Sequence, residues 1–246
     1  MLPIPAKELN GSGALGPYWT FYHAVAAEQL RQWLPKRPSL LLDISGGRGR
    51  WSTQAARAGH QVIEVVDFRR SAEPRLRDAT INQIRRVRAD DLGFLPDQSV
   101  DAVLADERAL SIEIMAESAI NDAVRVLKPG GRVLVCVDSL VLGMAILAEQ
   151  NFWAHLRQTG EVMLVPWPDG SITRCFSSSQ LRELLTGAGL EVEWVRPRTV
   201  LSPSTVDHIL AGDTRSMSWL VRTELETHPD DDDTVGIHLV ASARRV

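Results

Sequence analysis

The sequence contains 246 residues, of which 44% are hydrophobic, and its formal net charge is −4. This length and apolar content allow one substantial core, while the acidic balance disfavours binding to a nucleic-acid backbone, which normally requires a basic stripe. No apolar run is long enough to span a bilayer, and residues 1–10 lack the regions of a signal peptide. We therefore expect a cytoplasmic protein with no nucleic-acid or membrane partner.

The N-terminal region divides into an arm and a helix. Glycine and proline are frequent in residues 1–17, which disfavours a helix there. From Tyr18 onward, apolar residues recur at helical spacing until Pro35. Four aromatic residues and a histidine crowd the start of this helix: Tyr18, Trp19, Phe21, Tyr22 and His23. They either pack the arm onto the core or cover and line a ligand pocket, and the sequence leaves both alternatives open.

An apolar strand followed by a glycine-rich turn organises the next segment. Residues 41–43 are predicted to form a buried strand that ends at Asp43, and the turn after it lets a ligand approach the backbone. A helix at 54–58 and a second strand at 62–67 follow, and this strand ends at Asp67. The spacing of the two aspartates is close to that at which dinucleotide-binding folds hold a ribose. The segment therefore predicts a nucleoside-binding crevice.

Further strands are predicted to end in acidic residues at the same edge. They lie at 84–87, 100–104 and 132–137, with a helix at about 110–126 before the last of them. The residues that follow the three strands are Ala89-Asp90-Asp91-Leu92, Ala105-Asp106-Glu107-Arg108 and Asp138-Ser139. Since ligands of open α/β sheets bind beyond the carboxyl ends of strands, these acids are candidate site residues.

The C-terminal half is predicted to add a covering segment and to complete the sheet. An apolar helix at 140–158 and a β-hairpin at 162–176 come first, and the helix is apolar over more than one stripe, as expected of a segment that covers something. The remaining predicted elements are a helix at 180–185, a strand at 191–195, helices at 205–210 and 216–225, and a last, antiparallel strand at 235–243.

Three stretches together resemble class I S-adenosylmethionine-dependent methyltransferases of the small-molecule branch. They are Asp43-Ile44-Ser45-Gly46-Gly47-Arg48-Gly49, then Ala89 to Leu92 with Leu95 to Val103, and Arg125 to Val135. The resemblance implies an α/β fold with a Rossmann-like, seven-stranded, mostly parallel sheet, an antiparallel last strand and helices on both faces. It divides the chain into an N-terminal arm and lid helix at 1–37 and a methyltransferase domain at 38–246, with a substrate-covering insertion at about 140–176.

The resemblance also implies the cofactor, S-adenosylmethionine, and the residues that bind it. These candidates are Asp43, Ser45, Gly46, Gly47, Gly49, Asp67, Phe68, Asp90, Asp91, Ala105 and Asp106. Asp67 is expected to hold the ribose, with Glu64 as a rival. Asp90, with Asp91 as its rival, is expected to accept from the adenine amino group. Ser45 stands where the family has the first glycine of its motif, and a serine still permits a turn because its side chain can bond to nearby backbone.

The implied reaction is methyl transfer to an O, N or C atom of a small, partly apolar metabolite. The candidate substrate-binding residues are Tyr18, Trp19, Tyr22, Phe152 and Trp153. The candidate bases are His23, Glu107 and His155. The oligomeric state is open, with a homodimer among the alternatives.

Two further interpretations of the site residues stay open: a magnesium site and a function other than methyl transfer. Asp106 and Asp138 resemble the positions at which catechol-type O-methyltransferases hold magnesium, but Ser139 replaces their usual asparagine, and no metal site is predicted. Because Ser45 departs from the motif and no base is unambiguous, the alternative function is a protein of this fold that binds the cofactor but catalyses another reaction or only binds.

The two cysteines, Cys136 and Cys175, lack metal-ligand spacing, which predicts buried free thiols.

Overall fold

The computed structural model describes residues 16–46, 50–66, 82–113, 115–152, 162–167, 170–226 and 236–246. Several predicted site residues lie outside these ranges: Gly47, Gly49, Asp67, Phe68, Trp153 and His155.

Nine strands lie in the described part of the chain: β1 (Leu40–Asp43), β2 (Gln61–Val66), β3 (Ile84–Arg88), β4 (Val100–Ala105), β5 (Leu127–Ser139), β6 (Met163–Pro166), β7 (Ile172–Phe176), β8 (Leu190–Pro197) and β9 (His238–Arg245). The helices of the same ranges are α1 (Gly16–Trp33), α2 (Arg50–Arg57), α3 (Ala109–Ile112), α4 (Ala116–Val126), α5 (Leu140–Glu149), α6 (Ser178–Gly187), α7 (Pro203–Gly212) and α8 (Met217–Glu226), with a 3₁₀ turn at Thr214–Ser216.

The central sheet has the predicted topology. Strands β3, β2, β1, β4 and β5 lie side by side in parallel. Strand β9 pairs with the other edge of β5 in the antiparallel direction, and β8 pairs with β9. These seven strands confirm the mostly parallel sheet with an antiparallel last strand. The carboxyl ends of β1, β4 and β5 therefore meet at one edge, and the start of β9 lies at that same edge.

The predicted β-hairpin extends the sheet at the end of β5. Strand β7 pairs in parallel with β5 at Asp138 and Ser139, and β6 pairs with β7 in the antiparallel direction. Because β9 already pairs with one side of β5 up to Asp138, the hairpin takes the other side, just beyond the end of β4. This position brings the hairpin next to the residues that follow β4.

Helices cover both faces of the sheet. On one face, α1 and α2 pack on the strands through side chains that include Leu30, Trp33 and Trp51. On the other face, α3, α4 and α6 do so through side chains that include Leu110, Ile120 and Leu181. The start of α6 follows its sequence, because Ser177 and Gln180 form a reciprocal capping box.

Helix α1 serves two packing surfaces. Its second half lies on the sheet, while Tyr18, Phe21 and Val25 in its first half pack against α7 and α8. The division of the chain at residue 37 stays a prediction, although α1 packs directly on the sheet. Within the described ranges, no helix is long and apolar enough to cross a membrane. Both cysteines are buried free thiols, as predicted.

The single helix predicted at 110–126 is wrong, because the structure has two. Helix α3 ends where Glu113 adopts an extended conformation, and α4 begins at Ala116. Ser111 is fully buried and its Oγ accepts a hydrogen bond from the backbone N–H of Asp138 at 2.7 Å. This bond ties the short α3 to the end of β5, so the chain turns before it runs along the sheet as α4.

Candidate functional site

Three aspartates end or follow neighbouring parallel strands at the carboxyl edge of the sheet. Asp43 ends β1, Asp106 follows β4 and Asp138 lies near the end of β5. Their exposed fractions are 3%, 4% and 0%. A buried carboxylate is stable only if its oxygens accept hydrogen bonds. Each of these three carboxylates accepts hydrogen bonds from other groups of the protein.

Asp43 holds the glycine-rich turn. Its Oδ1 accepts from the backbone N–H of Ser45 at 2.9 Å, and its Oδ2 accepts from the hydroxyl of Ser52 in α2 at 2.5 Å. Burial raises the pKa of Asp43, and these hydrogen bonds oppose the shift. Gly46 follows with φ of 91°, a conformation that suits glycine. Asp43 therefore positions the turn, because both of its oxygens are bonded to protein groups.

Ser45 joins the turn to the end of β4. Its Oγ accepts from the backbone N–H of Asp106 at 3.0 Å. The expected local bond from this side chain is thus replaced by a bond to the neighbouring strand. The serine that departs from the family motif fixes the glycine turn relative to the residues after β4.

A cavity of about 250 Å³ opens beside this turn. Gly46 and the predicted adenine ligands Asp90 and Asp91 lie on its wall, together with apolar side chains from several elements. The apolar part of the lining includes Ile44, Val65, Leu92 and Leu110. Asp91 Oδ1 accepts from the backbone N–H of Gly93 in a local turn, which makes Asp90 the better candidate ligand. An apolar slot with carboxylate acceptors fits an adenine ring and its amino group.

The alternation of β2 bears on the rival ribose ligand. Val65 lines the cavity, and neighbouring residues of a strand face opposite sides of the sheet. Glu64 therefore faces the other side, where it is fully buried and accepts from Arg86 Nε at 2.6 Å. This geometry disfavours Glu64 as a ribose ligand.

Asp106 is bound by a buried arginine. Arg198, the residue after β8, donates from Nη1 and Nη2 to the two carboxylate oxygens, each at 2.8 Å. The same guanidinium donates from Nε to Gln29 and lies 5.6 Å from the ring centre of Tyr22. Burial alone would raise the pKa of Asp106, but the charge and hydrogen bonds of Arg198 hold it below its usual value. The role of Asp106 in binding the cofactor stays a prediction, and any cofactor group bound there would share this carboxylate with Arg198.

Asp138 forms a second buried pair, with Arg108. The guanidinium donates from Nε to Oδ1 at 2.6 Å and from Nη2 to Oδ2 at 2.7 Å. Glu107 and Arg108 both have positive φ, 53° and 66°, and such consecutive left-handed residues persist only where their surroundings hold them. Arg108 also lies 4.6 Å from the ring centre of Trp167, which ties the hairpin to the site. Ala105, at the end of β4, is buried beneath this turn.

The two arginine pairs bear on the magnesium alternative. A metal ion held by Asp106 and Asp138 would have to displace guanidinium groups from both carboxylates. Among the residues that the structure describes, no cluster of His, Cys, Asp and Glu is suited to a metal ion. The donor set does not fit magnesium.

The aromatic start of α1 reaches the same edge. The Tyr18 hydroxyl lies 2.9 Å from Thr199 Oγ1, and the Tyr22 hydroxyl lies 2.9 Å from His238 Nδ1. Trp19 contacts both tyrosine rings, and the His23 ring lies 5.4 Å from that of Tyr22. Phe152 lies beyond the end of α5 and is exposed. The structure thus brings Tyr22 to the aspartate edge.

Two residues of the site were missed by the sequence-based reasoning: Arg198 and His238. Neither belongs to a local motif. A signal for His238 was nevertheless present, because an antiparallel last strand must begin at the edge where the parallel strands end. Arg198 had no comparable signal, since its partner Asp106 lies on a distant part of the chain.

Comparisons with known proteins agree with this fold. Residues 42–135 match a family model described as a methyltransferase domain. A search of curated proteins finds no match. A 1,6-didemethyltoxoflavin-N1-methyltransferase from Burkholderia thailandensis, solved with 1,6-didemethyltoxoflavin and S-adenosylhomocysteine, is similar in structure with a TM-score of 0.58 and 21% identity, over 93% of this chain and 81% of that chain.

Two further solved structures are similar to the same extent. An S-adenosylmethionine-dependent methyltransferase from Mesorhizobium loti gives a TM-score of 0.61 and 19% identity, over 92% of this chain and 100% of that chain. The [4+2]-cyclase SpnF gives 0.59 and 18%, over 97% of this chain and 84% of that chain. At these identities the solved structures establish the fold, and the family model matches residues 42–135 alone.

Proposed function

We propose that this chain is a class I S-adenosylmethionine-dependent methyltransferase, because residues 42–135 match a family model described as a methyltransferase domain, and that it transfers the methyl group to an O, N or C atom of a small, partly apolar metabolite. The observation that carries this choice of acceptor is the covering of the aspartate edge. Helix α1 reaches it through Tyr22 and His238, and the hairpin reaches it through Trp167 and Arg108. Elements that cross the edge from two directions leave room for a small molecule rather than for a polymer.

The proposed cofactor site combines the glycine turn with the cavity beside it. Its proposed cofactor ligands in the glycine motif are Ser45, Gly46, Gly47 and Gly49, with Asp43 as the support of the described part of the turn. Asp90 is the proposed adenine ligand with Asp91 next to it, and Asp67 is the proposed ribose ligand with Phe68 beside it. Ala105 and Asp106 complete the set near the transferred group. When bound, the cofactor supplies the methyl group and its own leaving group.

The contribution of the chain is then mainly alignment. Asp43 and Ser45 fix the turn against the end of β4, and Arg198 fixes Asp106. Holding two reactants in line replaces a bimolecular encounter by an effectively unimolecular one. His23, Glu107 and His155 remain candidate bases.

The proposed acceptor site is aromatic. Tyr18, Trp19 and Tyr22 would line it from α1, and Phe152 and Trp153 from the segment after α5. The similar enzyme from Burkholderia thailandensis binds a small-molecule substrate, and the net charge of −4 disfavours a nucleic acid. A homodimer remains an open alternative.

The second candidate is a protein that keeps the cofactor but does not transfer its methyl group. A specific observation favours it, since a [4+2]-cyclase is among the structures with this fold. The two candidates differ in a single observable, which is the appearance of the methyl group on a product.

A labelling experiment with the cofactor distinguishes the two candidate functions. The protein is incubated with methyl-labelled S-adenosylmethionine and a deproteinised metabolite extract, beside a sample with total RNA and a sample without protein. We expect label in a compound of low molecular mass, and its identity reveals the acceptor. Label only in RNA would contradict the proposed acceptor class. Cofactor binding without any labelled product would favour the second candidate.

A further inference from the structure

A buried line of side chains runs from α1 to the end of β5. The Tyr22 hydroxyl lies 2.9 Å from His238 Nδ1, and His238 Nε2 lies 3.4 Å from Asp138 Oδ1. Tyr22 and His238 are each 6% exposed, and Asp138 is fully buried. Asp138 is held in turn by the two hydrogen bonds of Arg108. These four residues come from α1, β9, β5 and the turn after β4.

Hydrogen-bond chemistry fixes the direction of this line. An ionised carboxylate can only accept, so the neutral His238 ring carries its proton on Nε2, toward Asp138. The other ring nitrogen, Nδ1, then has a free lone pair, and the Tyr22 hydroxyl donates to it. Arg108 keeps Asp138 ionised, because its charge and hydrogen bonds act with those of His238 to lower the pKa of that carboxyl against the effect of burial. The arrangement is that of a tyrosine whose proton can pass to an oriented histidine.

The charges around His238 keep its ring neutral before reaction. Burial lowers the pKa of His238, Asp138 raises it, and Arg108 and Arg198 lower it further, with a net decrease. The other titratable groups of the cluster are Asp106, Tyr22 and Cys136. Burial raises the pKa of Cys136 to about 12 and that of Tyr22 well above its usual value, so both are neutral. The negative charges of the two aspartates balance the positive charges of the two arginines. The cluster therefore has no net charge until His238 gains a proton.

The line lies beside the proposed transfer site. The Tyr22 ring is 5.6 Å from the guanidinium of Arg198. Arg198 binds Asp106, and the backbone N–H of Asp106 binds Ser45 in the glycine turn. Two residues thus connect Tyr22 to the glycine turn of the proposed cofactor site, and the bond to His238, at the start of β9, places the Tyr22 hydroxyl at the carboxyl edge of the parallel strands.

We propose that Tyr22 and His238 form a proton relay that takes up the proton of the methyl acceptor. The proposal rests on the proposed function. As the acceptor atom exchanges its proton for the methyl group, that proton moves to Tyr22 Oη and the tyrosine proton moves to His238 Nδ1. A lone pair of the acceptor atom would form the new bond to carbon, the electron pair of its bond to hydrogen would stay on that atom as the proton leaves, and the electron pair of the carbon–sulfur bond would stay on the cofactor's sulfur. The imidazolium ion is stabilised by Asp138 and gives its proton to water after the product leaves.

The relay defines the class of acceptor. A relay is needed where the accepting atom carries a proton that must leave during transfer, as a hydroxyl or a ring N–H does. A tertiary amine or a thioether has no such proton. The relay therefore assigns a metabolite with a hydroxyl or N–H group to this site.

Two variants test the relay, with a matched control on the same strand as His238. Tyr22→Phe removes only the hydroxyl, and His238→Gln removes the proton acceptor. Ser242→Ala removes another buried hydroxyl of β9, one that donates to Glu193. We expect the two relay variants to lower the initial rate of label transfer into the extract by about 10²–10⁴-fold, with unchanged calorimetric affinity for S-adenosylhomocysteine. The wild-type rate should fall at acidic pH as His238 protonates. The rate of His238→Gln should not show this fall.

A second readout needs neither acceptor nor cofactor. In ¹⁵N spectra of histidine-labelled protein at neutral pH, His238 should be neutral with its proton on Nε2, and Tyr22→Phe should shift Nδ1 only. A proton on Nδ1, or a charged ring, would overturn the relay. If His238→Gln transferred the label at the wild-type rate and with the wild-type pH profile, the relay would also be refuted, while the proposed function would stand. Failure of the wild-type protein to bind S-adenosylhomocysteine would instead refute the proposed function.

Discussion

Arg198 donates two hydrogen bonds to Asp106, and neither side chain is more than 5% exposed. Taking both charges out of water is costly, and their attraction offsets that cost only while both partners are present. The pair connects β4 to the end of β8 and places Arg198 against Tyr22. At the residue scale, the site is therefore held by buried ion pairs whose separate members are destabilising.

Removing one member should reveal this dependence. Asp106→Leu leaves the Arg198 charge buried and unpaired, and we expect it to lower the free energy of unfolding by about 3–5 kcal/mol. The double variant with Arg198→Met should recover most of that loss, because two apolar side chains replace the pair. Urea denaturation measures both.

The exposed pair of Arg244 and Glu191 provides the control. Glu191→Gln should change the stability by less than about 1 kcal/mol, since surface ion pairs contribute little. If Asp106→Leu were as mild as this control, or if the double variant were no more stable than the single one, the pair would not have the assigned role.

The residues of the site differ in how far the sequence predicts them. Asp43, Asp90 and Asp106 each follow a strand that the apolar pattern identifies, so their position at the edge could be predicted locally. Arg198 and His238 reach the edge from strands near the other end of the chain. Their partners depend on how the sheet closes, and no local pattern contains that information.

At the scale of elements, α5 packs closely on the hairpin. A Cβ atom at Gly143 would lie 2.8 Å from Cys175 Sγ and 2.9 Å from Met163 Sδ. This close approach holds the hairpin beside the residues after β4. The glycine is required by space, since no positive φ is involved.

A methyl group at this position should therefore disturb the contact. Gly143→Ala is expected to lower the free energy of unfolding by about 1–3 kcal/mol, as overpacking does. Gly187→Ala is the matched control, because Gly187 lies in α6 with open space around its Cβ position. Alanine there should be neutral or stabilise by up to about 1 kcal/mol. Equal stability of the two variants in urea denaturation would contradict the close packing.

Most elements follow the periodicity of the sequence, and the exceptions have physical causes. The helix predicted at 110–126 is interrupted because buried Ser111 bonds to the backbone of β5. Strand β5 begins at Leu127 instead of Arg132, with a register shift against β4 and Gly130 at φ of 75°. The sequence Lys128-Pro129-Gly130-Gly131 reads as a turn, but pairing of Leu127 with Val100 carries it into the strand.

At the scale of the whole molecule, three distant segments converge on one edge. The middle of the chain supplies the glycine turn and the aspartates, the N-terminal helix supplies Tyr22, and the last strands supply Arg198 and His238. The family resemblance predicted the sheet, and the cofactor site at its carboxyl edge stays a prediction. The contribution of α1 was left between two alternatives, because aromatic residues at a helix start suit packing and binding equally well.

We propose that the cavity beside the glycine turn holds the adenine of the cofactor. Titration calorimetry with S-adenosylhomocysteine tests it most directly, on the wild-type protein, Asp90→Ala and Asp97→Ala. Asp90 lines the cavity, whereas Asp97 belongs to the same loop and pairs with Arg125. We predict that the wild-type protein and Asp97→Ala bind alike and that Asp90→Ala loses about 1.5–3 kcal/mol of binding free energy. No binding by the wild-type protein, or equal affinity of all three, would contradict the account.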